Sequence, residues 1–385
     1  MSGAGPAATR GHLCPMDLGT APPLAAPTAP PRPARLWVPR RVLVTAAARA
    51  FPHGRAMAQR AAALGAEIVE MKGDRLTGLP KPDAPNFYRD AKATLAITVA
   101  SPARRRLQPI PPSADWRFDL AEGCPAHCQY CYLAGSLAGP PIVRAYANLD
   151  EILDGLAVGL GQGGVTSRSA DRAAEGTTYE ASCYTDPLGI EHVTGSLAET
   201  IRFFGQWDAP AQLRWTTKYD AVDPLLALPH RGRTRVRFSV NAEPVARRLE
   251  GGVAPLASRL AAMGRIARAG YPLGLTIAPI MPVAGWRESY GALLDDAAAA
   301  LAGAPNLDLT AELITHRFTP NSKEVLTGWY PGSALEMDEG SRSRKLTKFG
   351  SIKYVYPRDA MRELRAWFEG ALADRLPAAR VLYWT

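Results

Sequence analysis

Cys124, Cys128 and Cys131 fall within eight residues, in the run Glu122-Gly-Cys-Pro-Ala-His-Cys-Gln-Tyr-Cys-Tyr-Leu133. The chain has 5 cysteines in 385 residues, the other two being Cys14 and Cys183. An odd, clustered set in a chain of this size suits metal chemistry better than a disulfide framework. Thiolates are the usual ligands of iron–sulfur clusters. Three of them on one short loop would hold three irons of a cubane and leave the fourth open to a chelating small molecule. A zinc site is the competing chemistry and would need a fourth ligand, which His127 could supply. Zinc sites, however, commonly join one Cys-x2-Cys pair to a distant second pair, and no second pair exists here. Chance clustering of buried cysteines is the plain alternative.

The spacing Cys-x3-Cys-x2-Cys, with Tyr130 just before the last cysteine, matches the radical S-adenosylmethionine (SAM) signature. The amino and carboxylate groups of SAM's methionine end would chelate the open iron. An electron passed into the sulfonium then releases a 5′-deoxyadenosyl radical, chemistry that belongs to the cofactor.

Such a loop needs a scaffold, and the pattern around it predicts one. Strands are expected over 41–45, 66–71 and 93–99, with a helix over 54–64 closed by Gly65. From Trp116 to Ile314, strands (116–120, 178–183, 213–217, 235–240, 273–280, 307–314) alternate with helices (149–160, 194–204, 222–228, 255–269, 290–302). Short-looped alternation of this kind argues for a parallel sheet covered by helices. About six such units fit, where eight would close a TIM barrel. The expected fold is therefore α/β, a partial (β/α)6 TIM-type barrel with an N-terminal α/β extension. The alternation breaks after Ile314, where a β-hairpin and a terminal helix over 357–373 are expected. This divides the chain into a Pro/Ala-rich tail (1–34), which contains Cys14 and is read as disordered. An N-terminal α/β region (35–112), the barrel (113–316) and a C-terminal substrate-binding hairpin and helix (317–385) follow. The Gly-rich stretch 161–176 reads as a flexible surface insertion.

Ligands of such sheets sit at the carboxyl ends of the strands. Cys124–Cys131, Cys183–Asp186, Lys218, Ser239–Asn241 and Ala278-Pro279 all fall at or just past predicted strand ends and would converge on one face.

Hydrophobic residues make up 47% and charged residues 21% of the chain, a globular balance able to bury a sizeable core. No apolar run reaches the roughly 18 residues of a membrane span. No secretory leader is evident, so a cytoplasmic protein is expected. A net charge of +9 favours an anionic partner such as nucleic acid, although Arg- and Ala-rich chains also drift basic for compositional reasons.

From about Leu36 to Thr385 the chain resembles the spore photoproduct lyase family. Besides the cysteine run, the resemblance rests on Arg144-Ala-Tyr-Ala-Asn-Leu-Asp150, Ser182-Cys-Tyr-Thr-Asp186, Thr217-Lys-Tyr219 and Arg237-Phe-Ser-Val-Asn241. It continues through Ala278-Pro-Ile280, Glu312-Leu-Ile-Thr-His-Arg-Phe318 and Lys353-Tyr-Val-Tyr356. The resemblance implies a DNA-repair lyase that returns 5-thyminyl-5,6-dihydrothymine, a methylene-bridged thymine dimer, to two thymines. It implies a 4Fe-4S cluster on Cys124, Cys128 and Cys131, and SAM held by Thr185, Lys218, Ser239 and Ala278. It makes Cys183 the hydrogen-atom donor to the product radical. Tyr132 would relay the radical back toward SAM, with Tyr130 in support. Taken singly, Cys183 would read as a small core residue and the tyrosines as packing.

The dimer would have to be flipped from damaged DNA to reach the radical. The basic run Ser341–Lys353 is the natural clamp, with Arg342, Arg344, Lys345, Lys348, Phe349 and Lys353 as DNA contacts. A solvated charged face is the plain alternative. A reductant such as flavodoxin or ferredoxin is implied as a partner. The chain departs from the family in carrying Lys348-Phe349 for Arg-Tyr, Thr185 for Ser, and Pro125-Ala126 for Met-Gly. Two rival functions fit the residues: a radical SAM enzyme of this family acting on another lesion or small molecule, and a non-catalytic Fe–S or zinc protein that binds nucleic acid.

Overall fold

The structure, a computed structural model, describes residues 36–136, 139–165, 170–346 and 350–385. The Pro/Ala tail with Cys14, and Lys348 and Phe349, lie outside the described residues.

Seven parallel strands form the main sheet: β1 (Ala114–Phe118), β2 (Thr177–Ala181), β3 (Ala211–Thr217), β4 (Thr234–Val240), β5 (Leu273–Ile280), β6 (Leu309–Thr315) and β7 (Ala379–Trp384). They lie side by side in chain order. A short strand, Gln108–Ile110, pairs antiparallel with β1. The sheet curls into a partial TIM-type barrel. The first six strands are those read from the sequence. β7 was not foreseen: a helix alone was expected at the C-terminus, but Ala379–Trp384 continues past it and pairs with β6. Its apolar residues Val381, Leu382 and Trp384 are only partly covered, so it lacks the unbroken hydrophobic run of the central strands.

Helices pack on the outside by regular apolar stripes. Ser196–Gln206 buries Leu197, Ile201 and Phe204, and Leu256–Arg268 buries Leu260, Met263 and Ile266. Trp286–Leu301 buries Leu293, Leu294, Ala297 and Leu301. Each apolar side chain buried this fully contributes about 1.5–3 kcal/mol. The helix expected over 222–228 is a single tight turn, Asp223–Leu225, opened by Pro224. The helix expected over 149–160 loosens after Asp154 at Gly155.

The barrel interior is ionic. Arg237 on β4 pairs with Glu180 on β2 (2.5 Å) and Glu312 on β6 (3.0 Å), and Arg214 on β3 pairs with Glu175 (2.8 Å). Thr276 on β5 and Tyr383 on β7 each hydrogen-bond Glu312 at 3.2 Å. All five charged groups are buried or nearly so. Burial alone would raise the Glu312 carboxyl, but Arg237 and Arg214 hold it below its ordinary value. Arg172 and Glu175, from the stretch read as a flexible insertion, take part in this interior. Arg172 is buried, pairs with Glu175 and donates to the carbonyls of Pro112 (2.9 Å) and Ser113 (3.0 Å).

A second sheet runs in the order Glu67–Glu70, Arg41–Val44, Thr94–Thr98, Val143–Tyr146, Ala121–Glu122, parallel except at the last strand. The segments on either side of the cysteine loop thus pair with the N-terminal sheet, although the chain has already left β1 of the barrel. A boundary at 112/113 does not divide the two sheets cleanly, because the cysteine loop is strung between them. The C-terminal part supplies a helix, Pro320–Trp329, begun by a Thr319/Ser322 capping box. It adds the expected hairpin, Ser343–Leu346 against Ile352–Val355, and a helix, Arg358–Arg375, that buries Ala360, Leu364, Phe368 and Leu372.

Candidate active site

The cysteine loop is fixed from several directions. Gly123 has φ +77° and packs so closely on the Ile142 carbonyl that a Cβ there would collide with it. His127-Cys128 forms a two-residue antiparallel ribbon with Glu250-Gly251, and Gln129 N–H donates to Leu249 (2.8 Å). Cys131 N–H turns back onto the Cys128 carbonyl (3.2 Å). Burial pushes the Cys124 thiol up to about 12 and the Cys128 thiol also upward, so coordination would have to drive their protons off. Among the described residues no three His, Cys, Asp or Glu side chains converge on a point where they could hold a single metal ion. A tetrahedral zinc needs that convergence, whereas cluster cysteines each meet a separate iron. His127, the possible fourth zinc ligand, instead sits edge-on to Tyr88, ring centroids 5.6 Å apart. The donor set, three thiols on one loop, fits the cubane.

Beside the loop the strand ends assemble a polar pocket. Lys218, just past β3, donates from Nζ to Ser239 Oγ at the end of β4 (2.6 Å) and reaches the Ala278 carbonyl on β5 at 3.5 Å. Its main-chain N–H donates to Asp186 Oδ2 (2.7 Å), which ties it to the 183–186 turn after β2. Thr185 lies in that turn with a buried Oγ1 that finds no partner among the described residues. A buried hydroxyl left over in this way fits a site that completes itself with a ligand. All four residues expected to hold SAM therefore meet here, with a cation, two hydroxyls and a carbonyl suited to its carboxylate, amino group and ribose.

Glu250, which the sequence reading missed, is the hub of this pocket. One carboxylate oxygen faces Lys218 Nζ (3.2 Å) and accepts from Tyr130 OH, and the other is 2.5 Å from Arg259. Burial would raise its pKa, but Lys218 and Arg259 hold it down at about 2. Its position opposite Cys128 in the two-residue ribbon carries no sequence pattern. Only pairing across about 120 residues reveals it. Asn241, at the strand end where the sequence put it, donates to the Pro279 carbonyl (2.8 Å) and accepts from Tyr290 OH (2.7 Å), which locks the ends of β4 and β5 together.

Cys183 opens the same 183–186 turn. Ser182 before it adopts φ +56°, rare outside glycine, and its hydroxyl accepts from Leu120 N–H (3.0 Å). This turn swings the chain across the barrel mouth. Burial, with Asp119 nearby, pushes the Cys183 thiol up to about 12, although Arg117 Nη1 lies 3.4 Å from Sγ and pulls the other way. Arg117 is itself held over the Tyr184 ring at 4.3 Å. Tyr132 donates from its phenol to the Cys183 carbonyl. It exposes 67% of its area even though protein groups surround it, as a ring lining an open mouth does. Tyr130 does not join it there. Its ring points back to Glu250, with Lys218 Nζ 5.6 Å from the ring centroid.

The hairpin divides the basic residues proposed for DNA. Arg344 and Lys345 are exposed. Lys345 stands directly opposite Lys353 in the hairpin register. Partial burial, Arg317 and Lys345 together hold the Lys353 pKa below its ordinary value. Like charges facing each other are unfavourable unless an anion joins them. Arg317, exposed at the end of β6, adds to this patch and was not singled out from the sequence. Arg342 is a correction: only 8% exposed, it pairs with Glu336, donates to the His316 carbonyl (3.1 Å) and covers the Tyr356 ring (3.8 Å). It braces the hairpin from beneath and is not free to meet a phosphate.

The family model described as spore photoproduct lyase matches residues 37–385. Spore photoproduct lyase of Bacillus subtilis (strain 168) is 37% identical over 350 residues, covering 91% of this chain and 99% of that one. The enzyme of Geobacillus sp. (strain Y412MC61) is 38% identical over 352 residues, with the same coverage. Among solved structures, a spore photoproduct lyase variant with bound AdoMet and dinucleoside spore photoproduct superposes with a TM-score of 0.83. It is 36% identical and covers 91% of this chain and 100% of its own. Matched along nearly its whole described length in sequence and in fold, the chain belongs to the spore photoproduct lyase family.

Proposed function

We propose that this chain is a radical SAM lyase that restores spore photoproduct, 5-thyminyl-5,6-dihydrothymine in DNA, to two thymines. The observation that carries the reading is the joining of two half-sites in one barrel mouth. A three-cysteine loop beside the Lys218 pocket faces a protonated thiol, Cys183, across the Tyr132 phenol. The solved relative with AdoMet and dinucleoside spore photoproduct supports the same pairing of cofactor and substrate.

Bound together, a 4Fe-4S cluster on Cys124, Cys128 and Cys131 and SAM supply a 5′-deoxyadenosyl radical that removes a hydrogen atom from C6 of the dimer. Lys218 and Ser239 would hold the methionine carboxylate, the Ala278 carbonyl would accept from its amino group, and Thr185 Oγ1 would gain its missing partner. Glu250 holds the Lys218 ammonium in place through their ion pair. After the methylene bridge fragments, Cys183 gives the hydrogen atom of its S–H bond to the thymine allyl radical. That role requires a neutral thiol, which its burial provides. The thiyl left on Cys183 would take a hydrogen atom from Tyr132 OH, and the tyrosyl would regain one from 5′-deoxyadenosine; the adenosyl radical so returned would rejoin methionine and give one electron back to the cluster, restoring SAM. Tyr130, bonded to Glu250, steadies the cofactor pocket.

DNA offers the dimer flipped out of the stack. Lys345, Lys353, Arg344 and Arg317 hold phosphates of the flanking strand, with Lys348 and Phe349 in the same basic run. A flavodoxin- or ferredoxin-type carrier supplies the electron. Among the described residues no helix is long and apolar enough to cross a membrane, and a substrate in cellular DNA would call for a cytoplasmic enzyme.

The test is anaerobic reconstitution, reduction, and incubation with SAM and synthetic dinucleoside spore photoproduct. Thymine release is expected. Formation of 5′-deoxyadenosine without thymine would assign another substrate, and absence of SAM cleavage would remove the enzyme reading altogether.

A further inference from the structure

Seven lysines and arginines are buried among the described residues: Lys92, Arg172, Arg214, Arg235, Arg237, Arg259 and Arg342. Six of them pair with a carboxylate. Lys92 does not. It ends the short helix Phe87–Lys92 of the N-terminal region, is 6% exposed, and forms no ion pair among the described residues. Its ammonium donates to the carbonyls of Cys124 and Ala126, both at 2.6 Å. It lines a small cavity together with Cys124, Cys131 and Trp329.

A buried cation without a carboxylate is costly unless another anion lies near it. Two carbonyl dipoles offset part of that cost but carry no net charge. The titratable groups that line this cavity with Lys92 are the thiols of Cys124 and Cys131. We propose that Lys92 is the counter-cation of the iron–sulfur cluster, a positioning residue that shapes the loop through two carbonyls and stabilises the electron the cluster accepts. This rests on the cluster reading above. Adding one electron makes the cluster more negative, and a fixed positive charge in a dry site favours that state more than water would. The N-terminal region therefore acts on the chemistry of the barrel through one side chain.

The experiment compares wild type with Lys92→Gln and Lys92→Arg, each reconstituted anaerobically and assayed for iron and sulfide. Each is then titrated potentiometrically, with the reduced cluster read by EPR. Gln can still donate to the carbonyls but lacks the charge. Arg keeps the charge. At a fixed solution potential the reduced-to-oxidised ratio should fall at least tenfold in Lys92→Gln, a shift of about 59 mV for one electron, and stay within threefold of wild type in Lys92→Arg. An unchanged ratio in Lys92→Gln at full iron content overturns the proposal. Should Lys92→Gln fail to load iron, the Arg variant decides: a wild-type ratio supports the charge role, and a tenfold fall refutes it. A wild-type protein that takes up no iron and sulfide would instead overturn the cluster reading itself.

Discussion

The phenol of Tyr132 donates a hydrogen bond to the peptide carbonyl of Cys183. The first residue follows the last cysteine of the loop directly, and the second stands 51 residues on, at the turn after β2. This contact puts the two residues of the proposed radical relay side by side. Tyr132→Phe should leave SAM cleavage intact but slow multiple turnover about five- to tenfold, the scale of one lost hydrogen bond. The ratio of 5′-deoxyadenosine to thymine, followed by chromatography, should rise. An unchanged ratio would exclude the relay.

Cys183→Ala should still cleave SAM yet lose clean thymine formation, because no S–H remains to quench the product radical. Mass spectrometry of the products distinguishes the outcomes, and normal thymine yield from this variant would refute the donor role. With its thiol at about 12, wild-type Cys183 should alkylate slowly and at a rate still rising at pH 10, when its peptide is followed after iodoacetamide treatment. A plateau near pH 8 would mean a thiolate at neutral pH.

Glu250 is held at about 2 against an ordinary 4.5. Its folded pKa is depressed, so its stabilisation is fully present above pH 4.5 and is lost as pH falls toward 2, a loss of about 3 kcal/mol. Glu250→Gln removes the charge facing both Lys218 and Arg259 and should cost about 3–5 kcal/mol, with weaker SAM binding. Denaturant unfolding across pH 2–6, together with calorimetric titration of SAM, would expose either failure: a variant as stable as wild type, or one that binds SAM equally well.

Arg237→Met would strand Glu180 and Glu312 inside the barrel without their shared cation. A destabilisation of about 3–5 kcal/mol is expected, recovered in part by the triple change Arg237→Met, Glu180→Gln, Glu312→Gln. If the single change proved neutral in denaturant unfolding, the ionic interior would not be a structural tie.

Lys345 and Lys353 face each other across the hairpin, whereas Arg342 is buried beneath it. Replacing both lysines by alanine should weaken DNA binding and reduce the slope of log affinity against log salt by about 1.4–1.8. Arg342→Ala should lower the melting temperature by unpairing Glu336 while leaving that slope unchanged. Fluorescence anisotropy at several salt concentrations tests both, and reversed behaviour of the two variants would place the phosphate grip elsewhere.

The six central strands were legible because each is a buried β-branched or aromatic run set off by turn residues, and the same strand ends are where the structure has Cys183, Thr185, Lys218, Ser239 and Ala278. β7 was not legible, because its exposed face breaks the apolar run. Glu250 and Arg342 escaped for another reason. Their roles come from contacts across the fold, one with Lys218 and Arg259, the other with Glu336 and Tyr356, and a lone Glu or an Arg in a basic run looks alike whether buried or solvated. Lys92 likewise reads as an ordinary surface lysine until its carbonyl partners are seen.

The cysteine loop hangs between two sheets, closed by Lys92 on one side and the Glu250 ribbon on the other, while Asn321 donates to the Gly135 carbonyl (3.0 Å) just beyond it. Contacts with the surrounding framework thus hold its shape from both sides. Oxygen damage that strips the iron should leave a folded polypeptide with its thiols still in array, ready to be rebuilt in place instead of being degraded.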